Sequence, residues 1–476
     1  MARTELPPLI VPWIRLDRDA PAEEALALER AKANWCAGFC LFGGEAAQVA
    51  ALTARLREAA GRPIFIASDM ERGAGQQVRG LRVLPDAAIW GLGGSPVDAE
   101  AFGEITARDA RSVGVDVLFA PVLDVRSEPR NPIVGNRAFG WDPDRVAALG
   151  AAFVRGALAG GCMPTGKHWP GHGATTADSH DAIPSVVDHA ERLLERDFLP
   201  FAAALAAGCP AFMTAHVAYP ALDPLGSIAT FSRPVIDRLR DLADDPDLVV
   251  FTDALLMAGA HVPGGETQAA RRSLLAGCDA LLIPSEPERL AEELLADATS
   301  DLFGAAERAA HRNVAFAVRI FGEPPPPLDD DHLVGVPERV ADRAARLAGL
   351  RALPTIRSGE TVVVLDDDDD PSRGAVIEAR ARKAGARVVI LRVARQGPPP
   401  AVPSGLEASV VVVMASVRAW KGSSDLSPAG RETLAQIADD ETQVVGMKPR
   451  IDGSTFHLPG TGPDVEAAVA DRLFGE

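Results

Sequence analysis

The stretch 167–180, KHWPGHGATTADSH, concentrates side chains that can move protons. It holds three of the nine histidines, one lysine and one aspartate in fourteen residues. Pro170 lacks an amide hydrogen and Gly171 loosens the backbone, so the stretch is a polar loop and not a helix. Loops held on a rigid scaffold are where chemistry is usually placed. Within it, Asp178-Ser179-His180 sets a carboxylate two residues before an imidazole. In a turn the carboxylate accepts from one ring nitrogen, fixes the tautomer and leaves the other nitrogen to transfer a proton. A second reading treats His168, His172, His180 and Asp178 as zinc ligands. The spacing in HWPGH lacks the tight pair that a tetrahedral site uses, so acid/base work fits better, and no metal or other cofactor is expected.

An acidic partner for this loop lies in VVFTDALLM, where Asp253 interrupts an apolar run. A carboxylate there is costly unless it is paired or useful. It is either a brace for a neighbouring cation or a reactive group. Arg137 sits in a Gly/Asn turn after PVLDV, and its forked guanidinium suits sugar hydroxyls or a carboxylate. A surface arginine is the plainer reading of the same residue.

These residues need elements to hold them. Eight short apolar runs, at 9–16, 38–44, 64–70, 115–125, 161–168, 211–217, 247–256 and 278–284, read as strands. Amphipathic helices fall between them, for example at 22–35, 46–59, 144–159 and 189–207. Eight strands alternating with helices predict a TIM-like (β/α)8 barrel over residues 1–325. An open doubly wound sheet shows the same alternation, but the strand count favours the barrel. Asp69, Asp124, His168, His216 and Asp253 all fall at or just past the C-terminal ends of their strands, the face on which barrel enzymes carry their sites.

EPPPPLDDD then reads as a stiff linker, with a helix at about 337–350, so residues 326–355 join two domains. Residues 356–476 read as a smaller α/β sandwich, with strands at 361–370, 387–393, 408–417 and 442–448. Their continuous valine runs suit parallel strands buried on both faces. Asp366 to Asp370 is either a metal site or a solvated loop, and the second is expected, because five adjacent acids cannot all point one way.

The 476-residue length fits more than one domain at roughly 150 residues each. Hydrophobic content of 47% and charged content of 24% are ordinary for a globular protein. A net charge of −18 argues against nucleic acid and against an anionic membrane as partners. No run approaches the ~18 apolar residues of a membrane span. The N-terminus is a poor signal peptide, and the five cysteines have no framework spacing, which together predict a cytoplasmic protein with buried, reduced thiols.

Taken in order, PVLDV…NP…GNRAFG…DP, KHWPGHG, DSH and TDALLM resemble glycoside hydrolase family 3, and within it the β-N-acetylglucosaminidase branch. The resemblance covers the first ~320 residues and also fits the two-domain layout. It implies that Asp253 is the catalytic nucleophile, and that His180 is the acid/base with Asp178 as its dyad partner. It further implies that Asp69, Arg137, Lys167 and His168 hold the sugar hydroxyls. His172, as a support in the same loop, and Met257, at the end of the TDALLM block, join the substrate-binding candidates. The sequence departs from the family pattern at Ala254, where a second acid is usual, in the Asp69-Met70-Glu71-Arg72-Gly73-Ala74-Gly75 block, and at Trp169, where a phenylalanine is usual.

The expected activity is retaining exo-β-N-acetylglucosaminidase, with muropeptides a plausible substrate class for a bacterial source. A β-glucosidase or a phosphorylase of the same family is the alternative, and a sugar-binding protein without turnover is the reading from another class. The expected partner is a small carbohydrate, with no obligatory protein partner. Because a DSH loop in the barrel removes the need for an acid from the second domain, that domain is expected to be structural.

Overall fold

A computed structural model describes residues 5–176, 184–296, 299–320, 330–353, 355–367, 373–394, 398–415, 426–438, 442–447, 456–458, 460 and 462–474. The eight expected strands all form, in order. The first is split by Pro12 into β1 (Ile10–Val11) and β2 (Trp13–Arg15). Then come β3 (Gly38–Phe42), β4 (Phe65–Ser68), β5 (Val117–Leu118), β6 (Met163–Trp169), β7 (Ala211–Thr214), β8 (Val249–Phe251) and β9 (Leu281–Leu282). Parallel ladders run from β2 through to β8. A bridge between Phe251 and Ala280 joins β8 to the last strand, and β9 pairs with β1, which closes the barrel. The open-sheet alternative is thereby set aside: the split first strand bonds neighbours on both sides.

The helices are α1 (Ala20–Lys32), α2 (Ala46–Ala60), α3 (Ala87–Gly93), α4 (Pro96–Ser112) and α5 (Pro143–Ala159), followed by further helices after β6, β7, β8 and β9. Their starts are written in the sequence. Ser95 and Asp98 form a reciprocal capping box on α4, and Asp142 caps α5 ahead of Pro143. The barrel interior is filled by Val11, Cys40, Phe65, Ala67, Phe119, Met213 and Phe251, all buried. Phe316, from the helix Ser300–Ile320, joins this core, with its ring edge-on to Phe65 at 5.6 Å. Packing one side of the barrel so densely leaves the C-terminal mouth as the face open to chemistry. All five cysteines are buried and unpaired. Among the described residues no helix is long and apolar enough to cross a membrane.

The second sheet is wholly parallel, in the order β11 (Arg387–Arg392), β10 (Thr361–Asp366), β12 (Val410–Met414), β13 (Gln443–Met447) and β14 (Phe456–Leu458). Alternate valines face opposite sides. Val362, Val364 and Val412 pack toward Ile377 and Val469, while Val363, Leu365 and Val413 pack toward Ile437. The strand FHL and the helix Pro463–Phe474 were not foreseen from the sequence. The helix Val336–Leu347 joins the two parts, since a side chain at Gly93 in α3 would collide with its backbone at Val340 and Ala344.

The acidic run needs a correction. Asp366 and Asp367 are fully buried and not solvated. Asp367 accepts from the Ser427 amide at 2.8 Å and from its hydroxyl at 2.6 Å, ahead of the helix Pro428–Ile437. Those hydrogen bonds offset its desolvation. Asp368, Asp369 and Asp370 lie outside the described residues.

Candidate active site

Strand β6 supplies the centre of the site. Its pairing with β7 slips between Lys167 and Trp169, so His168 is an extra residue in the ladder. Such a bulge re-aims a side chain, and bulges recur next to active sites. The peptide between Lys167 and His168 is cis, as are Ala120–Pro121 and Trp169–Pro170. The slip in the ladder lets Lys167 and His168 both reach partners at the mouth, which simple strand alternation would forbid. Trp169 is buried and donates from its indole to the Val235 carbonyl at 2.9 Å, which anchors the end of the strand.

Lys167 is 2% exposed, with its ammonium 2.6 Å from Asp69 Oδ1 and 2.6 Å from Glu71 Oε1. Arg137 grips the same Glu71 with both prongs of its fork, each at 2.8 Å. Its Nη2 also lies 3.4 Å from Nε2 of His168. One glutamate thus joins a loop after β4, a turn after β5 and strand β6. Burial works against the Glu71 carboxylate, but Arg137 and Lys167 overrule it and hold its pKa well below the usual range. Burial likewise opposes the charge on Lys167, and Asp69 and Glu71 raise its pKa in spite of it. Both groups stay ionised. Glu71 is the residue the sequence reading passed over. Its signal was present, an acid two residues past Asp69 at a strand end, but nothing in the spacing pointed to two cations as partners.

Asp124, fully buried, organises the other half. Its Oδ2 sits 2.7 Å from His168 Nδ1, and its Oδ1 accepts from the amides of His168 at 3.2 Å and His172 at 2.6 Å. Burial would raise its pKa, yet His168 and the hydrogen bonds hold it below the ordinary value. An ionised Asp124 accepts from Nδ1–H and leaves His168 Nε2 toward Arg137. His172 is a support: it is 1% exposed, and its Nδ1 lies 2.9 Å from the Thr175 hydroxyl. Asn131 binds the His172 carbonyl at 2.8 Å, and the Tyr219 hydroxyl donates to the Gly171 carbonyl at 2.6 Å. His168 and His172, two members of the alternative zinc set, are turned toward Asp124 and Thr175. Among the described residues no group of three or more His, Cys, Asp or Glu side chains could hold a metal.

Asp253 follows β8 at the same mouth and accepts from the Ala254 amide at 2.8 Å. It lies close enough to His172 for its charge to act on that imidazole. The ring of His216, fully buried, sits with Nε2 3.1 Å from the Ala254 carbonyl and Nδ1 2.8 Å from the Thr230 hydroxyl. A carbonyl only accepts, so Nε2 carries the hydrogen and steadies the turn beneath Asp253. Met257 is 7% exposed, and its amide donates to the Ala254 carbonyl at 3.1 Å. Asp69, Arg137, Lys167, His168, His172 and Asp253 are thus brought to one mouth, joined by Glu71, Asp124 and His216. Asp178 and His180 lie outside the described residues.

A family profile described as glycosyl hydrolase family 3 N terminal domain matches residues 35–308, more than half of the chain. The chain belongs to glycosyl hydrolase family 3. A family relative named beta-hexosaminidase from Pseudomonas aeruginosa is 43% identical over 242 residues, covering 50% of this chain and 70% of that protein. Another beta-hexosaminidase, from Chromobacterium violaceum, is 38% identical over 256 residues, or 52% and 71% of the two chains. Among solved structures, a glycoside hydrolase family 3 beta-N-acetylglucosaminidase from Paenibacillus sp. str. FPU-7 superposes with a TM-score of 0.78 at 26% identity. It matches 98% of this chain and 95% of its own.

Burial drives the His172 pKa down to about 4, against the pull of Asp124. The folded protein takes up that proton only near pH 4, whereas the unfolded chain does so near 6.5. The stability held in neutral His172 is therefore present above pH 6.5 and is lost as pH falls toward 4, by roughly 3 kcal/mol. Urea unfolding of wild type and His172→Gln across pH 4–7.5 is expected to show the gap between the two narrowing in acid. Parallel curves would mean that His172 does not titrate this way.

Proposed function

We propose that this family 3 chain is a retaining exo-β-N-acetylglucosaminidase in which Asp253 is the nucleophile and His180 the acid/base. The observation that carries the reading is the array of fixed donors and acceptors at the barrel mouth, the face on which Asp253 also lies. Asp69, Lys167, Arg137 and His168 offer both signs of charge in rigid positions, which suits a ring carrying several hydroxyls. The names of the relatives supply the N-acetylhexosaminide class.

In the first step Asp253 attacks the anomeric carbon while His180 gives its proton to the departing glycosidic oxygen, forming a glycosyl ester. In the second, His180 takes a proton from water, water attacks the same carbon, and the ester bond breaks to free Asp253. Asp178 holds the imidazole in the required tautomer. The negative charge of Asp253 favours the oxocarbenium-like transition state. In this reading the chemistry belongs to residues 1–325, the segment 326–355 joins the parts, and 356–476 is a structural support. We place the enzyme in the cytoplasm, in peptidoglycan recycling, on its five buried free thiols and the relatives' class.

The test is release of an aryl leaving group from β-N-acetylglucosaminide and from β-glucoside, each with and without phosphate. Release from the N-acetylglucosaminide without phosphate is the expected result. A glucoside preference would overturn the acetamido assignment, and a phosphate requirement would mark a phosphorylase. His180→Ala is expected to slow substrates with poor leaving groups most, by roughly 10²–10⁴-fold, and those with activated leaving groups far less. Equal losses across a leaving-group series would remove His180 from the acid role.

A further inference from the structure

A cavity of about 260 Å³ opens beside the mouth, between α3 and the segment leading into α5. Ala88, Leu92 and Phe139 give it an apolar lining, and Trp141 and Arg126 line it as well. Trp141 is 73% exposed, and it is the one aromatic among the exposed large apolar side chains of the described residues. Its indole presents a flat apolar face with a polar edge at the cavity. Arg145, also in the wall, is held by the carbonyls of Gly91 and Gly94, the latter at 2.7 Å. The cavity shares its frame with the active site. The Arg126 amide donates to the Gly140 carbonyl at 2.9 Å, and Arg126 follows Asp124 by two residues. The turn Gly135–Arg137 puts Gly135 on the cavity and sends the Arg137 side chain to Glu71.

We infer that this cavity is an accessory sugar-binding site, in which Trp141 stacks on a distal ring of an oligosaccharide whose terminal residue sits at Asp253. A pyranose has an apolar C–H face for the indole and a hydroxyl-bearing rim for fixed guanidinium donors. An apolar ligand would match only the indole, and a small anion only the positive charge of the wall. An exo-acting enzyme holds one terminal ring at its centre, so the remainder of the chain extends away from it over the adjoining surface. The inference rests on the N-acetylglucosaminidase reading above.

The test compares wild type, Trp141→Ala and Trp141→Phe on an aryl β-N-acetylglucosaminide and on β-linked N-acetylglucosamine oligomers of two to four rings. Trp141→Ala is expected to leave kcat/KM on the aryl monosaccharide within about twofold. On the tetramer it is expected to lower kcat/KM about tenfold, mainly through KM, the equivalent of about 1.4 kcal/mol. Trp141→Phe should recover part of that loss. Equal effects on every substrate, or none on any, would overturn the site. Intrinsic fluorescence titration with the tetramer separates the two readings. If wild type turns over no N-acetylglucosaminide, the enzymatic reading fails. Weaker tetramer binding in Trp141→Ala would still support the cavity, and superimposable titrations would overturn it.

Discussion

Asp253→Ala should lower kcat on aryl β-N-acetylglucosaminides by about 10⁴-fold or more, the scale seen when a covalent nucleophile is removed. The carboxylate closes the turn after β8, accepting from the Ala254 amide, with the buried His216 ring beneath that turn. Alanine removes the atom that forms the glycosyl ester and leaves the backbone turn in place. Azide is small enough to enter the vacated space. It is expected to restore part of the rate by attacking the anomeric carbon directly, while His180 still protonates the leaving oxygen. One displacement in place of two inverts the configuration, so the product would be the α-glycosyl azide. Wild-type rates in the variant, or a β-configured azide product, would show that another group is the nucleophile.

Glu71→Gln should cost roughly 3–5 kcal/mol of stability, because breaking a buried ion pair leaves its partners uncompensated. In this case two cations lose one anion. The glutamine oxygen still accepts from one cation while its NH2 group faces the other; beyond that, Arg137 keeps the Ile133 carbonyl and its approach to His168, and Lys167 keeps Asp69. Both cations also orient the candidate sugar site, so kcat/KM should fall by about 10²-fold. Denaturant unfolding and steady-state kinetics on one preparation give both numbers. A variant as stable and as active as wild type would show that Asp69 and the remaining hydrogen bonds suffice to hold the cations.

The barrel and its mouth were legible because their signals are local. Eight apolar runs of strand length, separated by amphipathic helices, carry a period that sequence displays directly. Asp69, Asp124, His168, His216 and Asp253 stood at strand ends, and the strand-end rule of barrels placed them on one face. The last strand was missed, since three residues of FHL carry almost no periodicity. The acidic run 366–370 was misjudged at Asp366 and Asp367 for another reason. Burial of an acid is decided by what packs over it, and the Ser427 amide and hydroxyl lie sixty residues away.

By itself, then, the sequence determined the alternation of elements, the identity of the reactive side chains and their order at the strand ends. Only the tertiary structure decided which charges meet. It made Glu71 the shared anion of Arg137 and Lys167, put Asp124 under both His168 and His172, and turned Lys167 and His168 to the same mouth through a slip in the β6 ladder. The physical reason is that propensity and period act over a few residues. The pairing of buried charges is a sum of Coulomb and desolvation terms among groups up to about a hundred positions apart, and no local pattern encodes it.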